Sequence, residues 1–409
     1  VGGTNVNRAG EIEDLRGAAL VGGDAVARAH GRRVLMVAGE ASGDAQGARL
    51  AAALLRSDPA LHLYGVGGPL MRAAGVETFV DIAELGVMGF AELGRGLGRA
   101  LWLLRRVRAE LRAQPRPDLF VPIDFPDFNL PLCRSARRAG VRVFYYVSPQ
   151  VWAWRRGRMR TIARNVDRMV VLYPFEADLL RSRGIDANFV GNPLAEDVCP
   201  SRSPQQTRAR YRLGADRPVV VLLPGSRRRE VETLLPEMLE AVALLPGAPQ
   251  VAVAEAASLP EGLVPGLVRG AQRTRACSDV AVARDDTYNL IAAADVALVT
   301  SGTATVECAL LGCPMVVVYR MSPLSYALVR RLVKVPFIAM PNLLLGRRAV
   351  PELVQHDACA PRMAAEVARL VAEPEDRRQT AQALSEVAAL LLRPGAAARA
   401  AELALETMR

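Results

Sequence analysis

The stretch PVVVLLPGSRRRE, Pro218 to Glu230, decides the fold. Its apolar run, Val219 to Leu223, is too short for a helix and sits between prolines, which suits a buried strand. The run breaks at Gly225 and Ser226, and helical spacing follows from Arg229 to Leu245. A strand, a glycine turn and a helix make the repeating unit of a parallel sheet covered on both faces. The same grammar extends in both directions. Downstream come the strand-like QVAVAEA, then DVALVTSGT feeding a predicted helix from Ala304 to Leu311, then PMVVVYR. Upstream, VLMVAG precedes a predicted helix from Ser42 to about Arg56, and LHLYGVGG follows. Helical periodicity from about Leu93 to Arg112 leads to DLFVPID, a helix from Leu130 to Arg138, VRVFYYVSP, DRMVVLYP and ANFVGNPL.

Between the two series lies a polar segment, Ala195 to Pro218. The expected fold class is therefore α/β, with two doubly wound Rossmann-like domains facing across a cleft. The expected boundaries are 31–195 and 196–409, with carboxyl-terminal helices that cross back. Val1 to about His30 reads as a poorly ordered extension, or a start site set too early, and shows no secretory pattern. The longest apolar region, Val296 to Tyr319, is interrupted by polar residues and Pro314, so it does not read as a membrane span.

The chain has 409 residues, enough for two domains with full cores, and a net charge of +10. That balance suits an anionic membrane face or a phosphorylated substrate better than nucleic acid, for which no motif is present. Six cysteines show neither a disulfide framework nor a CxxC pair. The three histidines are far apart, and His62, in a strand-like run, reads as a packed core residue. No metal site and no cofactor is expected.

Ligands of such sheets sit beyond the carboxyl ends of the strands, and the unusual residues of this chain lie there. After VVVLLP, Gly225, Ser226 and Arg227 open a helix, a pattern suited to a diphosphate through helix dipole and forked guanidinium donors. After DVALVT, Ser301, Gly302 and Thr303 open a second helix. Glu307 shares a face with Thr303 and can accept from a ribose diol. After VLMVA comes GEASGD, Gly39 to Asp44, either a ligand-approach loop or a turn capped by Ser42 or Asp44. After DLFVPI comes Asp124, flanked by Phe125 and Pro126. It is either a partly desolvated general base or a turn acid held by main-chain amides. Asp127 reads as shaping that turn, and VSPQVWAW brings Ser148, Trp152 and Trp154, either by default as packed aromatics or as a lining for a sugar or acyl group. A base in one half and a diphosphate site in the other suit transfer of a sugar from a nucleotide sugar to a hydroxyl. No DxD metal motif is present.

At this point the blocks GEASGD, GVGGPLM, GVMGFAE, PIDFPDFN, YYVSPQVWAW, LPGSR, SGTATVECAL, YRMSPLSY and MPNLLLGR, in order from about Val34 to Arg348, resemble the lipid-A-disaccharide synthase family. That resemblance implies an inverting glycosyltransferase of GT-B architecture. It implies a reaction of UDP-2,3-diacylglucosamine with 2,3-diacylglucosamine 1-phosphate that yields UDP and a β-1,6-linked disaccharide. It implies an acceptor-binding first domain, a UDP-sugar-binding second domain, and work at the inner face of the cytoplasmic membrane of Gram-negative-type bacteria. On the matching motifs Asp124 is the base, Glu40 and Ser42 reach the reacting centre, and Arg227 meets the UDP phosphates. Ser301, Gly302, Thr303 and Glu307 bind UDP, and Asn342 of the PNLL block is linked to activity. Asn192 stands where many relatives carry His, and members can be homodimers with exchanged carboxyl-terminal segments.

Leu85 to Arg112 combines apolar residues with six arginines and reads either as a peripheral membrane contact or as an ordinary packed helix. Other readings of the whole are a transferase adding N-acetylglucosamine to a lipid-linked precursor, a UDP-sugar epimerase, or a catalytically silent UDP-sugar-binding protein.

Overall fold

The computed structural model describes residues 31–82, 95–149, 151, 157–273, 280–322, 326 and 336–409. The extension 1–30, the GVMGFAE block, Trp152, Trp154, Cys277 and residues 323–325 of the YRMSPLSY block lie outside the described residues. The chain divides into two compact units, Val1–Pro193 with Arg393–Arg409, and Leu194–Leu392.

The first unit carries, among the described residues, a seven-stranded sheet. Its strands are β1 (Arg33–Val37), β2 (His62–Gly67), β3 (Glu77–Asp81), β4 (Leu119–Pro122), β5 (Arg142–Tyr146), β6 (Arg168–Val171) and β7 (Ala187–Phe189). They lie in the order β3-β2-β1-β4-β5-β6-β7, all parallel. The second unit carries β8 (Val219–Leu223), β9 (Gln250–Glu255), β10 (Val280–Arg284), β11 (Val296–Thr300), β12 (Met315–Tyr319) and β13 (Glu352–Val354). Their order is β10-β9-β8-β11-β12-β13, again parallel. In each sheet the winding reverses direction once, between β1 and β4 and between β8 and β11. At such a reversal the two flanking loops leave the sheet on opposite faces, and the strand ends open a crevice.

Both faces of each sheet are covered, which is why the strands read as unbroken apolar runs. In β1, Leu35 and Val37 enter the core beneath the helices Arg95–Glu110 and Pro126–Ala139. Val34 and Met36 enter the opposite core, under the helix Ala41–Ser57. That core is completed from the far end of the chain. In the helix Ala396–Thr407, Ala400, Ala401 and Ala404 are fully buried against Ala41–Ser57, small residues that let two helices approach closely. Arg399 donates to the Val190 carbonyl (3.1 Å), and Arg168 pairs with Glu406 at 2.6 Å.

Several expectations need correction. The helix after β4 begins at Pro126, not Leu130, because proline is well tolerated in a first helical turn where its missing N–H has no partner to lose. The polar segment between the units is folded: it forms the helices Pro193–Asp197 and Pro204–Arg210. The second is capped by a reciprocal Ser203–Gln206 box. Three strands escaped the sequence reading: β3, β10 and β13. His62 is not a core residue; it opens β2 half-buried, contacts Glu77 at 3.0 Å and stacks on Tyr64.

Candidate functional site

Of the residues singled out from sequence, Glu40, Ser42 and Asp124 lie at the winding reversal of the first unit, and Gly225–Arg227, Ser301–Thr303 and Glu307 at that of the second; Ser148 and Asn342 do not. In the first unit, β1 and β4 are hydrogen-bonded neighbours, so their outgoing loops lie side by side. The loop after β1 is Ala38, Gly39 and Glu40, and Glu40 takes the N-cap position of Ala41–Ser57 without a side-chain cap bond. Glu40, Ala41 and Ser42 are exposed, and the Ser42 hydroxyl has no hydrogen bond among the described residues. The capping reading of GEASGD fails on its own helix. Asp44 instead turns inward, is buried, and accepts from the amides of Gly68 (2.6 Å), Leu70 (3.0 Å) and Met71 (3.1 Å). It thereby caps the short helix Pro69–Ala73 of the GVGGPLM block.

After β4 the chain passes through Asp124 (φ 45°) and Phe125 (φ 48°), two successive non-glycine residues in the left-handed region. Each costs about 1–2 kcal/mol relative to a right-handed conformation, so the surroundings must enforce them. They do so through main-chain groups. The Asp124 amide donates to the Tyr146 carbonyl (3.0 Å), and the Asp124 carbonyl accepts from the Tyr145 hydroxyl (2.7 Å) and the Asn129 side-chain amide (2.8 Å). Asn129 is fully buried and also reaches the carbonyls of Ile123 (3.3 Å) and Val37 (3.4 Å). The Phe125 ring lies over Gly39, where a Cβ would sit 2.3 Å from it, so only glycine fits there.

Burial raises the Asp124 carboxyl pKa, the Phe125 main-chain N–H lowers it, and the negative charge of Glu40 raises it again; the net shift is upward. A half-buried carboxyl with a raised pKa, beside a second carboxylate, is equipped to take a proton. Asp127 is different. It lies in the first turn of Pro126–Ala139, largely exposed, and pairs with Arg158. The turn-shaping part assigned to it belongs to Asn129 and Tyr145.

Ser148 does not line an open site. It is buried and donates to Glu176 (3.1 Å), which also accepts from the Leu172 and Tyr173 amides. Asn192 is likewise buried, and its side chain bonds the Tyr173 hydroxyl.

In the second unit, β8 and β11 are neighbours, with Leu223 beside Val299, so two helix starts stand next to each other. Gly225 adopts φ 114°, open essentially to glycine alone. Ser226 and Arg227 are exposed, and Arg227 is the N-cap of the helix Arg228–Ala243 without using its side chain as a cap. Beside it, Gly302 and Thr303 are exposed at the start of the helix Thr303–Leu310, while the Ser301 hydroxyl donates to the Ile338 carbonyl (2.9 Å). One turn into that helix, the Glu307 carboxyl has no hydrogen-bond partner among the described residues, and burial pushes its pKa up to about 7. An acid left half-buried without a partner is a poor structural choice and a good acceptor for a hydroxyl-bearing ligand.

Asn342, which the resemblance links to activity and groups with the UDP-binding residues, sits as a support. It is fully buried, and both ends of its amide are engaged: Nδ2 donates to the Val350 carbonyl (2.9 Å) and Glu352 (2.8 Å), while Oδ1 accepts from the amides of Ala349 and Val350. Glu352, missed in the sequence, also accepts from the amides of Ile338 and Ala339. Asn342 thus holds the segment on which Ser301 leans.

Comparison with known proteins separates family from fold. The model of the family described as Lipid-A-disaccharide synthetase matches residues 34–407. The chain is 43% identical to the lipid-A-disaccharide synthase of Syntrophus aciditrophicus (strain SB) over 379 residues, 92% of this chain and 98% of that protein. It is also 43% identical to that of Geobacter metallireducens over 382 residues, 92% and 97% of the two chains. Among solved structures, a glycosyltransferase from Rickettsia africae shares the fold, with a TM-score of 0.57 at 10% identity over 93% of this chain and 99% of that one.

Proposed function

The chain belongs to the lipid-A-disaccharide synthase family and has the GT-B architecture of two Rossmann-like domains. From that premise we propose how its two sites make the disaccharide. The protein is a hexosyltransferase of lipid A biosynthesis. It transfers 2,3-diacylglucosamine from the UDP derivative to 2,3-diacylglucosamine 1-phosphate. The acceptor hydroxyl oxygen bonds to the sugar C1, the bond from C1 to the diphosphate oxygen breaks with its electron pair, and UDP departs. The hydroxyl proton goes to Asp124. Inversion at C1 gives the β-linkage.

The observation that carries this reading is the setting of Asp124. It is a half-buried carboxyl of raised pKa, held at a strained strand end beside Glu40 at the winding reversal of its sheet. In the second unit, Arg227 and the helix starts at Arg228 and Thr303 offer positive charge to the leaving diphosphate. Ser301, Gly302 and Thr303 approach the phosphates, and Glu307 accepts from the ribose diol. Glu40 and Ser42, exposed beside Asp124, orient the acceptor. The deciding assay supplies both acylated monosaccharides and measures UDP and the tetra-acyl disaccharide phosphate. Near-wild-type turnover by Asp124→Asn, with UDP binding intact, would remove the base assignment.

The substrates are acylated, and the same reading places the enzyme at the membrane surface. No helix among the described residues is long and apolar enough to cross a membrane. The helix Arg95–Glu110 buries Leu103 and Val107, yet Leu101 is 46% and Trp102 54% exposed. Arg99 and Arg105 are exposed on the same stretch. Apolar side chains framed by arginines suit the interface of an anionic bilayer.

A further inference from the structure

We infer that Glu230 is a positioning residue that holds Arg227 in the UDP-free protein and competes with the diphosphate for it. The inference rests on reading the turn Gly225 to Arg227 as the phosphate site. Glu230 lies in the first turn of Arg228–Ala243, and its side chain curls back over that turn. One carboxylate oxygen, Oε1, is 3.0 Å from Nη1 of Arg227. The other, Oε2, lies against the backbone of Gly225, 2.7 Å from where a Cβ would stand. The carboxylate therefore covers the bare backbone of Gly225, which a phosphate would use. A helix start attracts negative charge, and here the protein fills that place with an anion of its own.

The neighbouring groups are consistent with this. Arg228 is engaged by Glu232 at 2.7 Å and does not contend for Glu230. The Tyr319 hydroxyl, at the end of β12, has its pKa raised by burial first and by Glu230 next, while Arg227 lowers it, so all three groups sit together. The pair is unequal. The Arg227 side chain is 81% exposed and that of Glu230 only 20%, so the guanidinium is the partner free to turn toward an incoming ligand. Diphosphate arrival breaks the pair, and after transfer Glu230 takes Arg227 back, which helps UDP leave.

The test is calorimetric titration of UDP into the full-length protein, wild type beside Glu230→Gln, Glu230→Asp and Arg227→Ala, with melting temperatures of the UDP-free proteins. An exposed ion pair is a weak competitor, so Glu230→Gln binds UDP roughly three- to fivefold tighter. Its donor KM falls with it, and kcat does not rise. Glu230→Asp withdraws the carboxylate by one methylene and moves affinity in the same direction, which keeps the test decisive if the Gln variant melts early. Arg227→Ala binds UDP roughly tenfold more weakly or worse. A purely structural Glu230 would lower the melting temperature and leave affinity unchanged or reduced. That result in both Glu230 variants, with Arg227→Ala impaired, overturns the competition and leaves the phosphate site standing. Wild-type UDP affinity in Arg227→Ala removes the phosphate site and the competition together.

Discussion

The side-chain amide of Asn129 donates to the main-chain carbonyl of Asp124 at 2.8 Å, from within a helix that starts only two residues beyond that aspartate. The same amide reaches Val37 and Ile123, so one buried side chain ties the ends of β1 and β4 to each other. The carboxylate above is aimed by bonds its own side chain does not make. Asn129→Ala removes all three bonds; Val37 keeps the Ile123 amide and Asp124 keeps the Tyr145 hydroxyl, but the Ile123 carbonyl loses its donor, at a cost of about 1–3 kcal/mol. It should lower the urea midpoint and reduce kcat while UDP affinity stays near wild type. Unchanged kcat in a folded Asn129→Ala protein would contradict the aiming role.

The upward shift of Asp124 sets the acid limb of the pH–rate profile. A base works only when deprotonated, so kcat/KM falls as pH drops, with a midpoint shifted upward from that of an ordinary aspartate. Asp124→Asn removes that limb and lowers kcat roughly 10²–10⁴-fold. Glu40→Gln takes away a negative charge that raises the Asp124 pKa, so the limb moves to lower pH. A limb unmoved by Glu40→Gln would sever the link between the two carboxyls.

Glu307 predicts a pH-dependent stability. Between the usual glutamate range and about 7, the folded protein keeps a proton that the unfolded chain has released. Stability is therefore greatest at low pH in this window and declines as pH rises through about 7. Glu307→Gln should flatten that decline and stabilise the UDP-free protein at pH 8 by an amount on the order of 2 kcal/mol. It should also weaken UDP binding, whose affinity in the wild type rises over the same window as the acceptor carboxylate forms. Thermal melts and calorimetry at pH 5, 6, 7 and 8 read both effects.

The exposed pair Leu101 and Trp102 predicts a salt-sensitive membrane contact. The double variant Leu101→Ser/Trp102→Ser should partition into phosphatidylglycerol vesicles roughly tenfold less or worse, since each lost side chain forfeits apolar burial in the interface. Neutral vesicles should bind poorly, and raising ionic strength should release the wild type. Equal sedimentation of variant and wild type with anionic vesicles would exclude this helix as the contact.

Much of the architecture was legible because the strands flanking the reversals, β1, β4, β8 and β11, are buried on both faces and read as uniform apolar runs. The strands that escaped lie at the rims. In β3, ETFVD, only Val80 is buried, and β13 is three residues long, so neither carries a periodic signal. The acids and the arginine of the site were legible because charge at the end of an apolar strand is conspicuous. Asn129, Tyr145 and Glu352 were not, since they act on main-chain groups, and Val37 precedes Asn129 by 92 residues. Asn342 shows the opposite difficulty. Its block stands out in the sequence, but only the closed set of bonds around its amide reveals that it supports a loop.

The return of Arg393–Arg409 to the first unit makes the second an insertion, in the sense of a self-contained passage placed inside an unfinished one. On the ribosome the second unit, Leu194–Leu392, has all of its residues before the first unit does. The half begun first waits for its last helix, and until the chain has been made through Thr407 the face of Ala41–Ser57 that packs on it lies bare. Deletions from this end should therefore strike the unit that starts the chain and leave the inserted one folded.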